Sequence, residues 1–178
     1  LIQYSYAYKN LFDPETKYMR PREMDGRFMK DFEPLKGWKG FQEGNAAQYT
    51  WYVPHDIEGL INLMGIDLFN ERLENTFIES RKTQFGGGKE IDSFSGVEKL
   101  YNQGNQPCLH DAWLFNCSGK PWLTQLYTRL ICDEFYGITP EHGYGYGQDE
   151  DQGQLGAWYV MAAMGLFAVQ GGTNITPS

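Results

Sequence analysis

Hydrophobic residues recur at helical spacing in several stretches of the chain, and the clearest of these begins at Asp67. Phe69, Leu73 and Phe77 lie four residues apart and therefore share one face of a helix. Asp67 is the expected N-cap, and the three consecutive glycines at 86–88 are expected to end the segment. The pattern predicts an amphipathic α-helix.

The preceding stretch, residues 46–65, has similar spacing but contains a proline. Because Pro54 cannot continue a helix, we expect one helix to break there and another to begin after Asp56, acting as N-cap. A break of this kind can turn side chains towards a cleft. The apolar face of the second helix is formed by Ile57, Leu60, Ile61 and Met64.

Two further helices are predicted in the C-terminal half. The first starts at Pro121, a residue favoured in the first turn, and it carries two adjoining apolar stripes, so we expect it to be largely buried. These stripes are Trp122, Leu126 and Leu130, and Leu123, Tyr127, Ile131 and Phe135. The second helix ends at Gly165. Its expected inward face is Leu155, Trp158, Tyr159, Ala162 and Ala163.

Long connections rich in Gly, Pro and aromatic residues join these helices. Residues 1–46 show no sustained period after about residue 10, yet they hold too many aromatic rings for a disordered segment, so we expect a long ordered loop. No run of strand-like alternation intervenes between the helices. The chain therefore predicts an all-α fold with long ordered loops.

Composition and charge narrow the class of partner. Aromatic residues make up 16% of the 178 residues, and rings with a polar edge suit the binding of sugars. The formal charge of -8 argues against nucleic acid or an anionic membrane as partner. No apolar stretch is long enough to span a bilayer. The three cysteines form no CxxC pair, which predicts free and mostly buried thiols.

Three consecutive acids, Asp149, Glu150 and Asp151, precede the last predicted helix. Asp151 as an N-cap would account for one of them without any function, whereas an active site would use the two aspartates on one side of an extended segment. Both interpretations stay open on this stretch alone. An EF-hand is excluded, because Gln154 and Val160 stand where that loop needs Gly and Glu.

A second candidate is Glu43, which lies in a turn rich in glycine and aromatic residues. Nearby rings would desolvate the carboxyl group and suit it as a general acid, and these rings are Trp38, Phe41 and Trp51. The alternative is structural. Asn45 and Gln48 have the types and spacing of a helix-capping box, which would explain an acid at this position without chemistry.

A third candidate is the Gly-Asn-Gln-Pro turn near residue 105. Asn105, Gln106, His110 and Asp111 crowd it, and amide oxygens there could hold sugar hydroxyls or a hard cation such as calcium. A lone histidine at a helix start, such as His110, is more often a satisfied structural residue than a ligand. The three histidines of the chain show no HExxH or similar spacing, which argues against zinc.

Read in order, these stretches resemble a known family. They are "EGNAAQYTWYVPHDIEGLINLMG", "GNQPCLHDAWLFNCSGKPWLTQ" and "DEDQGQLGAWYVMAAMGLF", preceded by "FDPETKYMRPREMDGRF". Together they are similar to the C-terminal part of the catalytic domain of glycoside hydrolase family 92, the calcium-dependent exo-acting α-mannosidases. The resemblance extends over nearly the whole chain.

The resemblance implies a fold larger than this chain. Family members have an (α/α)6 barrel preceded by a β-sandwich, so residues 1–178 would form the C-terminal portion of the barrel. The expected partners are then the rest of the catalytic domain and the β-sandwich, together with a mannose-containing oligosaccharide. A barrel without some of its helix pairs would expose apolar faces. A periplasmic or secreted location is also implied.

The resemblance also implies a mechanism. Terminal α-linked mannose would be hydrolysed from glycans or mannosides with inversion, Glu43 acting as the acid and Asp149 and Asp151 as the base pair. Calcium would contact the O2 and O3 hydroxyls of mannose. By motif position its oxygen ligands would come from Asn105, Gln106 and Asp151.

Substrate contacts are implied at the third motif, by Asn105, Gln106, Cys108 and His110. The motif departs from the family at Gln106, where several members carry Glu, so the metal affinity and the preferred linkage are left open. Two other classes of function stay open beside hydrolysis. One is a non-catalytic carbohydrate-binding module, and the other is a structural helical domain with an acidic loop.

Overall fold

The computed structural model describes residues 2–88, 96–142, 153–169 and 176–177, and it confirms the all-α class. Within those ranges the strands are limited to one antiparallel pair of two residues each, β1 Leu166–Phe167 and β2 Thr176–Pro177. None of the helices found there is long and apolar enough to cross a membrane. The α-helices are α1 Ile2–Ser5, α2 Ala46–Tyr49, α3 Ile57–Met64, α4 Ile66–Arg81, α5 Pro121–Glu134 and α6 Gln154–Ala163. Short 3-10 helices are Ala7–Asn10, Gln84–Gly86, Gln106–Cys108, Asp111–Asn116 and Pro140–His142.

The break at Pro54 and the cap at Asp56 are as predicted. Asp56 Oδ1 accepts a hydrogen bond of 3.1 Å from Gly59 N at the start of α3. The cap predicted for Asp67 is wrong, because α4 already begins at Ile66, directly after Gly65. Asp67 instead lies in the first turn, where its charge still favours the positive end of the helix dipole.

The core forms where α4 meets α5 and the 3-10 helix Asp111–Asn116. Phe69, Leu73 and Phe77 are fully buried, as the four-residue spacing predicts. The ring of Phe77 stacks on Tyr127 of α5 with centroids 4.8 Å apart. Phe115 stacks on the same tyrosine at 5.8 Å, so three rings from three elements share one site in the core.

Helix α5 is only half buried, contrary to the prediction. The stripe containing Tyr127 and Ile131 faces the core, whereas Trp122 is 58% exposed and Leu126 is 48% exposed. Helix α6 likewise exposes Tyr159, which was predicted to face inward. In the part of the chain that the structure describes, Trp122 and Leu126 therefore have no covering layer, whereas Leu130 of the same stripe packs against the core. Further helices of an (α/α)6 barrel would cover such a surface.

The long N-terminal loop is ordered, as predicted, and two arginines hold it. Arg20 donates to Asp13 Oδ2 at 2.9 Å and to the Met29 carbonyl at 2.8 Å, which joins two parts of the loop. Arg72 of α4 places its guanidinium 4.0 Å from the ring centre of Tyr18. These contacts fasten the loop to the helical core.

Candidate active site

Glu43 lies in a loop with an uncommon backbone conformation. Its φ angle is +53°, in the left-handed region that costs a non-glycine residue on the order of 1–3 kcal/mol. A Cβ on Gly44 would lie 2.8 Å from Gln48 Oε1 and 2.9 Å from a ring carbon of Tyr49, so a larger residue here would have to displace both side chains. Trp38 N donates to Gly44 O at 3.2 Å and closes the loop.

The helix cap at α2 is formed without Glu43. Asn45 Oδ1 accepts from Gln48 N at 3.0 Å, and its Nδ2 donates to the Val97 and Lys99 carbonyls at 2.8 Å each. Gln48 Oε1, the atom that would accept from the Asn45 N–H in a capping box, has no hydrogen-bond partner among the described residues, and Gln48 Nε2 donates to Lys99 O. Glu43 is exposed, and its carboxylate forms no hydrogen bond or ion pair with any other described residue. Capping therefore does not explain this acid.

The described residues supply only part of the aromatic surroundings predicted for Glu43. Trp51 is buried in the core, and Phe41 packs on Tyr49 with centroids 5.4 Å apart. Trp38 is half exposed. Burial raises the pKa of Tyr49, and the nearby Cys108 and Glu43 side chains add to the effect. The described part of the chain places Glu43 beside aromatic residues but leaves it open to solvent.

Asn105 connects the third motif to the Glu43 loop. Its Nδ2 donates a hydrogen bond of 2.6 Å to the backbone carbonyl of Glu43. Because a carbonyl only accepts, the NH2 group of the amide must face Glu43, and Oδ1 is left as the acceptor. Asn105 does not use that oxygen to cap the following 3-10 helix, Gln106–Cys108. Two motifs predicted to act together are thus in direct contact.

A cleft of about 310 Å³ brings together Gln106 and His110, two residues predicted to bind substrate. Tyr52 and Gln154 also line it. This volume is near the lower end of the range for small-ligand sites, about 300–1,000 Å³, and suits a single sugar unit. Since Gln154 is the first residue of α6, the helix that follows the acidic segment reaches the same cleft.

His110 lines the cleft while its hydrogen bonds are directed to the backbone. Its Nε2 lies 2.8 Å from the Trp51 carbonyl, and the Pro107 carbonyl is a second backbone acceptor beside the ring, which in its neutral form has one N–H to donate. Burial lowers the pKa of His110 to about 4, so the ring is neutral at neutral pH. His110 therefore lines the cleft with an uncharged ring.

Asp111 is fully buried, and neither carboxyl oxygen has a hydrogen-bond partner among the described residues. Its Oδ1 lies 3.4 Å from His110 Nε2. Burial raises the pKa of Asp111 well above its usual range, because desolvation disfavours the charged carboxylate. Within the described ranges, Asp111 is therefore an acid without a hydrogen-bond partner, beside a residue that lines the cleft.

Cys108 does not reach the cleft, contrary to the expectation that it contacts substrate. Its side chain is fully buried in the hydrophobic core, and burial raises the pKa of its thiol. All three cysteines are free, as predicted, with Cys132 also buried and Cys117 exposed. Cys108 contributes to packing beneath the turn rather than to ligand contact.

Two buried contacts dock α6 against the third motif. Gln103 Nε2 donates to the Tyr136 hydroxyl at 2.9 Å, which in turn donates to Leu155 O at 3.0 Å. Trp158 Nε1 donates to Leu109 O at 2.8 Å. Buried hydrogen bonds of this kind are costly to break, because a lost partner leaves an unsatisfied polar group. The start of α6 is consequently fixed relative to the Gly-Asn-Gln-Pro turn.

Asp149 and Asp151 lie outside the described residues, so their proposed roles stay predictions. The position of α6 nevertheless corrects one alternative. The helix begins at Gln154 after Gly153, which has a φ angle of +72° and provides no side-chain cap. The residue directly before the helix is therefore Gly153, and the alternative in which Asp151 is the N-cap is wrong.

The oxygen donors of the third motif are of the type that calcium prefers. Side-chain amide oxygens are hard ligands, and Asn105 and Gln106 carry two of them in consecutive positions. The described ranges contain no group of three or more His, Cys, Asp or Glu side chains placed so that they could hold a metal ion. The donor set fits a hard cation completed by an anionic ligand, and Asp151 is the residue predicted for that part.

Sequence reasoning missed Tyr52 and Gln103. Tyr52 could have been noticed in the sequence, because it stands between the apolar residues Trp51 and Val53 and two positions before Pro54. For Gln103 no local signal existed, because its partner Tyr136 is 33 positions away. Hydrogen bonds between residues so far apart in the sequence can be identified only from the folded structure.

Comparison with known proteins identifies the family to which the chain belongs. The sequence model of the glycosyl hydrolase family 92 catalytic domain matches residues 1–176. The chain belongs to glycosyl hydrolase family 92. No curated protein is significantly similar to it in sequence.

Solved members of family 92 have the same fold. The α-mannosidase BT3965 from Bacteroides thetaiotaomicron is 38% identical with a TM-score of 0.75, over 94% of this chain and 20% of that one. Its complex with mannoimidazole aligns at 34% identity and a TM-score of 0.76, over 94% and 22%. The inverting mannosidase BT2199 from the same organism is 32% identical with a TM-score of 0.74, over 94% and 23%. The chain thus spans about a fifth to a quarter of the length of these proteins.

Proposed function

We propose that the complete protein is an α-mannosidase that releases terminal α-linked mannose from glycans or mannosides. Membership of family 92 and the similarity to two mannosidases more than 30% identical support the substrate class. The observation that carries the proposal is the hydrogen bond from Asn105 Nδ2 to Glu43 O. It joins the acid of one motif to the amide turn of another.

The proposed reaction is a single displacement with inversion, by an exo-acting enzyme. Glu43 gives its proton to the glycosidic oxygen as the bond to the anomeric carbon breaks, and a water molecule attacks that carbon from the opposite face. Asp149 or Asp151 takes the proton that this water loses. The exposed side chain of Glu43 supports the first role, because a leaving-group oxygen can approach it from solvent.

We further propose that Asn105, Gln106 and Asp151 hold calcium. The ion, when bound, would supply a positive charge that binds sugar hydroxyls. Asn105 would then have two functions, since its Nδ2 fixes the Glu43 backbone while its Oδ1 is available as a ligand. Gln106 and His110 line the cleft in which one sugar unit would bind.

We propose that this chain works as the C-terminal portion of a barrel, together with the rest of the catalytic domain and a β-sandwich. The uncovered stripe at Trp122 and Leu126 supports a covering layer of helices. A periplasmic or secreted location is also proposed, from the resemblance to the family.

The test is mannose release by the complete protein from α-1,2-, α-1,3-, α-1,4- and α-1,6-linked mannobioses, with calcium and after chelation. We expect release from at least one linkage, loss of activity on chelation, and recovery with calcium. NMR of the first product should show β-mannose, as inversion requires. Activity that survives both Glu43→Gln and Asp151→Asn would exclude the catalytic assignment. No hydrolysis combined with measurable sugar binding would favour the carbohydrate-binding alternative.

Asp149→Asn and Asp151→Asn can be separated by adding azide, which attacks without needing a base. The variant that lacks the base should regain turnover and form β-mannosyl azide. The variant that lacks only an orienting or metal-binding carboxylate should not respond. Equal responses of the two variants would leave neither residue as the sole base.

A further inference from the structure

Tyr52 is an exposed aromatic residue whose backbone is firmly anchored. Its side chain is 51% exposed, although its neighbours Trp51 and Val53 are both buried in the core. Val53 N donates to Trp51 O at 2.7 Å, and Tyr52 N donates to Tyr49 O at 3.1 Å. A tight turn therefore presents the phenol ring outward from a rigid segment.

Neighbouring rings also fix the orientation of Tyr52. The ring of Tyr49 meets it edge-on, with centroids 6.3 Å apart and planes at 82°. His110 contacts it at 5.6 Å and 62°, and His110 is itself held by the Trp51 carbonyl. Both contacts are edge-to-face geometries that aromatic pairs favour. Binding a flat ligand on this ring would cost little conformational entropy, because the ring is already oriented.

The cleft lined by Tyr52 is mixed in character. Tyr52 and His110 contribute aromatic surface, and Phe167 and Val169 contribute further apolar surface. Gln106 and Gln154 contribute amide groups, which both donate and accept hydrogen bonds. A pyranose ring has the matching chemistry, since it has an apolar C–H face and hydroxyl groups around its edge.

We propose that Tyr52 is the aromatic wall of a subsite for one pyranose ring. The C–H face of the sugar packs on the phenol ring, and the glutamine amides bind its hydroxyls. The cleft volume of about 310 Å³ limits the subsite to a single unit. The inference rests on the proposed function for the identity of the sugar as mannose. Methyl α-mannoside, which has one sugar, and α-mannobiose, which has two, distinguish whether the terminal unit or the next one occupies the subsite.

Tyr52→Ala in the complete protein tests the subsite. Binding is measured by calorimetric titration with methyl α-mannoside and, with both proteins carrying Glu43→Gln so that the probe stays intact, with α-mannobiose. We expect binding to weaken roughly tenfold, the order of change that follows from losing one aromatic contact. The KM for mannobiose should rise similarly while kcat changes by less than about twofold, since stacking binds ground state and transition state alike. A purely structural effect would lower kcat and the melting temperature instead.

Two variants control the measurement. Tyr52→Phe keeps the ring, and we expect it to recover wild-type affinity to within about threefold, because the stacking surface is unchanged. Tyr4→Ala removes another exposed tyrosine, on α1, and should leave sugar binding unchanged. Circular dichroism and thermal unfolding establish that each variant is folded.

Each outcome decides the proposal. Weaker binding of both probes places the terminal sugar on Tyr52, and weaker binding of mannobiose alone places the second unit there. Unchanged affinity of Tyr52→Ala for both probes overturns the subsite, as does a wild-type protein that binds neither. If the complete protein binds these sugars through Tyr52 but hydrolyses none, the proposed hydrolysis fails and the subsite stands.

Discussion

The side-chain amide of Asn105 donates a 2.6 Å hydrogen bond to the backbone carbonyl of Glu43, across 62 positions of the chain. The bond reaches the backbone of the acid, and among the described residues no hydrogen bond or ion pair engages its carboxylate. A substrate can therefore use the carboxyl group while the amide keeps its backbone in place. The same contact links the position of the proposed acid to a proposed calcium ligand.

Asn105→Asp and Asn105→Ala together test this link. A carboxylate cannot donate to the Glu43 carbonyl, but it keeps an oxygen for calcium. If positioning dominates, both variants of the complete protein should lose roughly 10- to 100-fold in kcat, because a displacement of about 1 Å can cost that much. If Asn105 served only as a calcium ligand, Asn105→Asp would keep its activity and need no more calcium than the wild type.

An exposed amide on another segment provides the control. Asn10 ends the 3-10 helix Ala7–Asn10, and Asn10→Ala should leave kcat and calcium dependence unchanged. Thermal unfolding of all three variants separates lost positioning from lost stability. A parallel fall in kcat and melting temperature for both Asn105 variants would count against a specific role.

Glu43→Gln should reveal acid catalysis through its dependence on the leaving group. We expect kcat/KM on mannobiose to fall by at least about 100-fold, the lower end of what general acids contribute. An activated aryl α-mannoside should lose far less, because its phenolate departs without a proton. Measuring kcat/KM on both substrates separates this role from substrate binding. Equal losses on the two substrates would contradict the acid assignment.

Asp111 should make stability depend on pH. Burial raises the pKa of Asp111 above the value of 3.8 that it has in the unfolded chain. At a pH below 3.8 the carboxyl group is neutral in both states, and its ionisation then costs the folded state no stability. Stability is then lost as the pH rises towards the folded pKa, by up to about 1.4 kcal/mol per pH unit. Asp111→Asn removes this titration. The variant should therefore resist urea better than wild type at pH 7–8 and show no such advantage near pH 4.

Two details sharpen that measurement. His110 lies 3.4 Å away, and because its pKa is lowered to about 4, its contribution is lost as the pH falls from 6.5 towards 4 in both proteins. Asp133→Asn is the matched control, since Asp133 is an exposed carboxylate paired with Arg129. An Asp111→Asn effect of the same size at every pH would mean that packing, and not ionisation, is responsible.

The helices with strong periodicity could be predicted from the sequence. The face of Phe69, Leu73 and Phe77 and the cap at Asp56 are both confirmed, because spacing and capping chemistry are local properties. The N-cap at Asp67 was wrong because a single residue, Gly65, separates α3 from α4. Local propensity favours an aspartate at an N-cap, but the one-residue connection between the two helices fixes the start of α4 at Ile66.

Burial on α5 could not be predicted from periodicity. The two stripes of that helix are equally apolar, and only their neighbours decide that Tyr127 is buried while Trp122 is exposed. The candidate site shows the same limit. Residue types and order identified Glu43 and Asn105 as candidates, but the hydrogen bond between them depends on how distant segments pack.

The left-handed backbone at Glu43 points to a compromise between stability and function. A glycine would adopt a φ angle of +53° without steric cost, and the neighbouring turn already contains one at Gly44. Optimising this loop for stability alone would therefore replace the acid. Directed evolution that selects only for thermal resistance should accept glycine at position 43. The proteins that it yields should have higher melting temperatures but lack the proposed mannosidase activity.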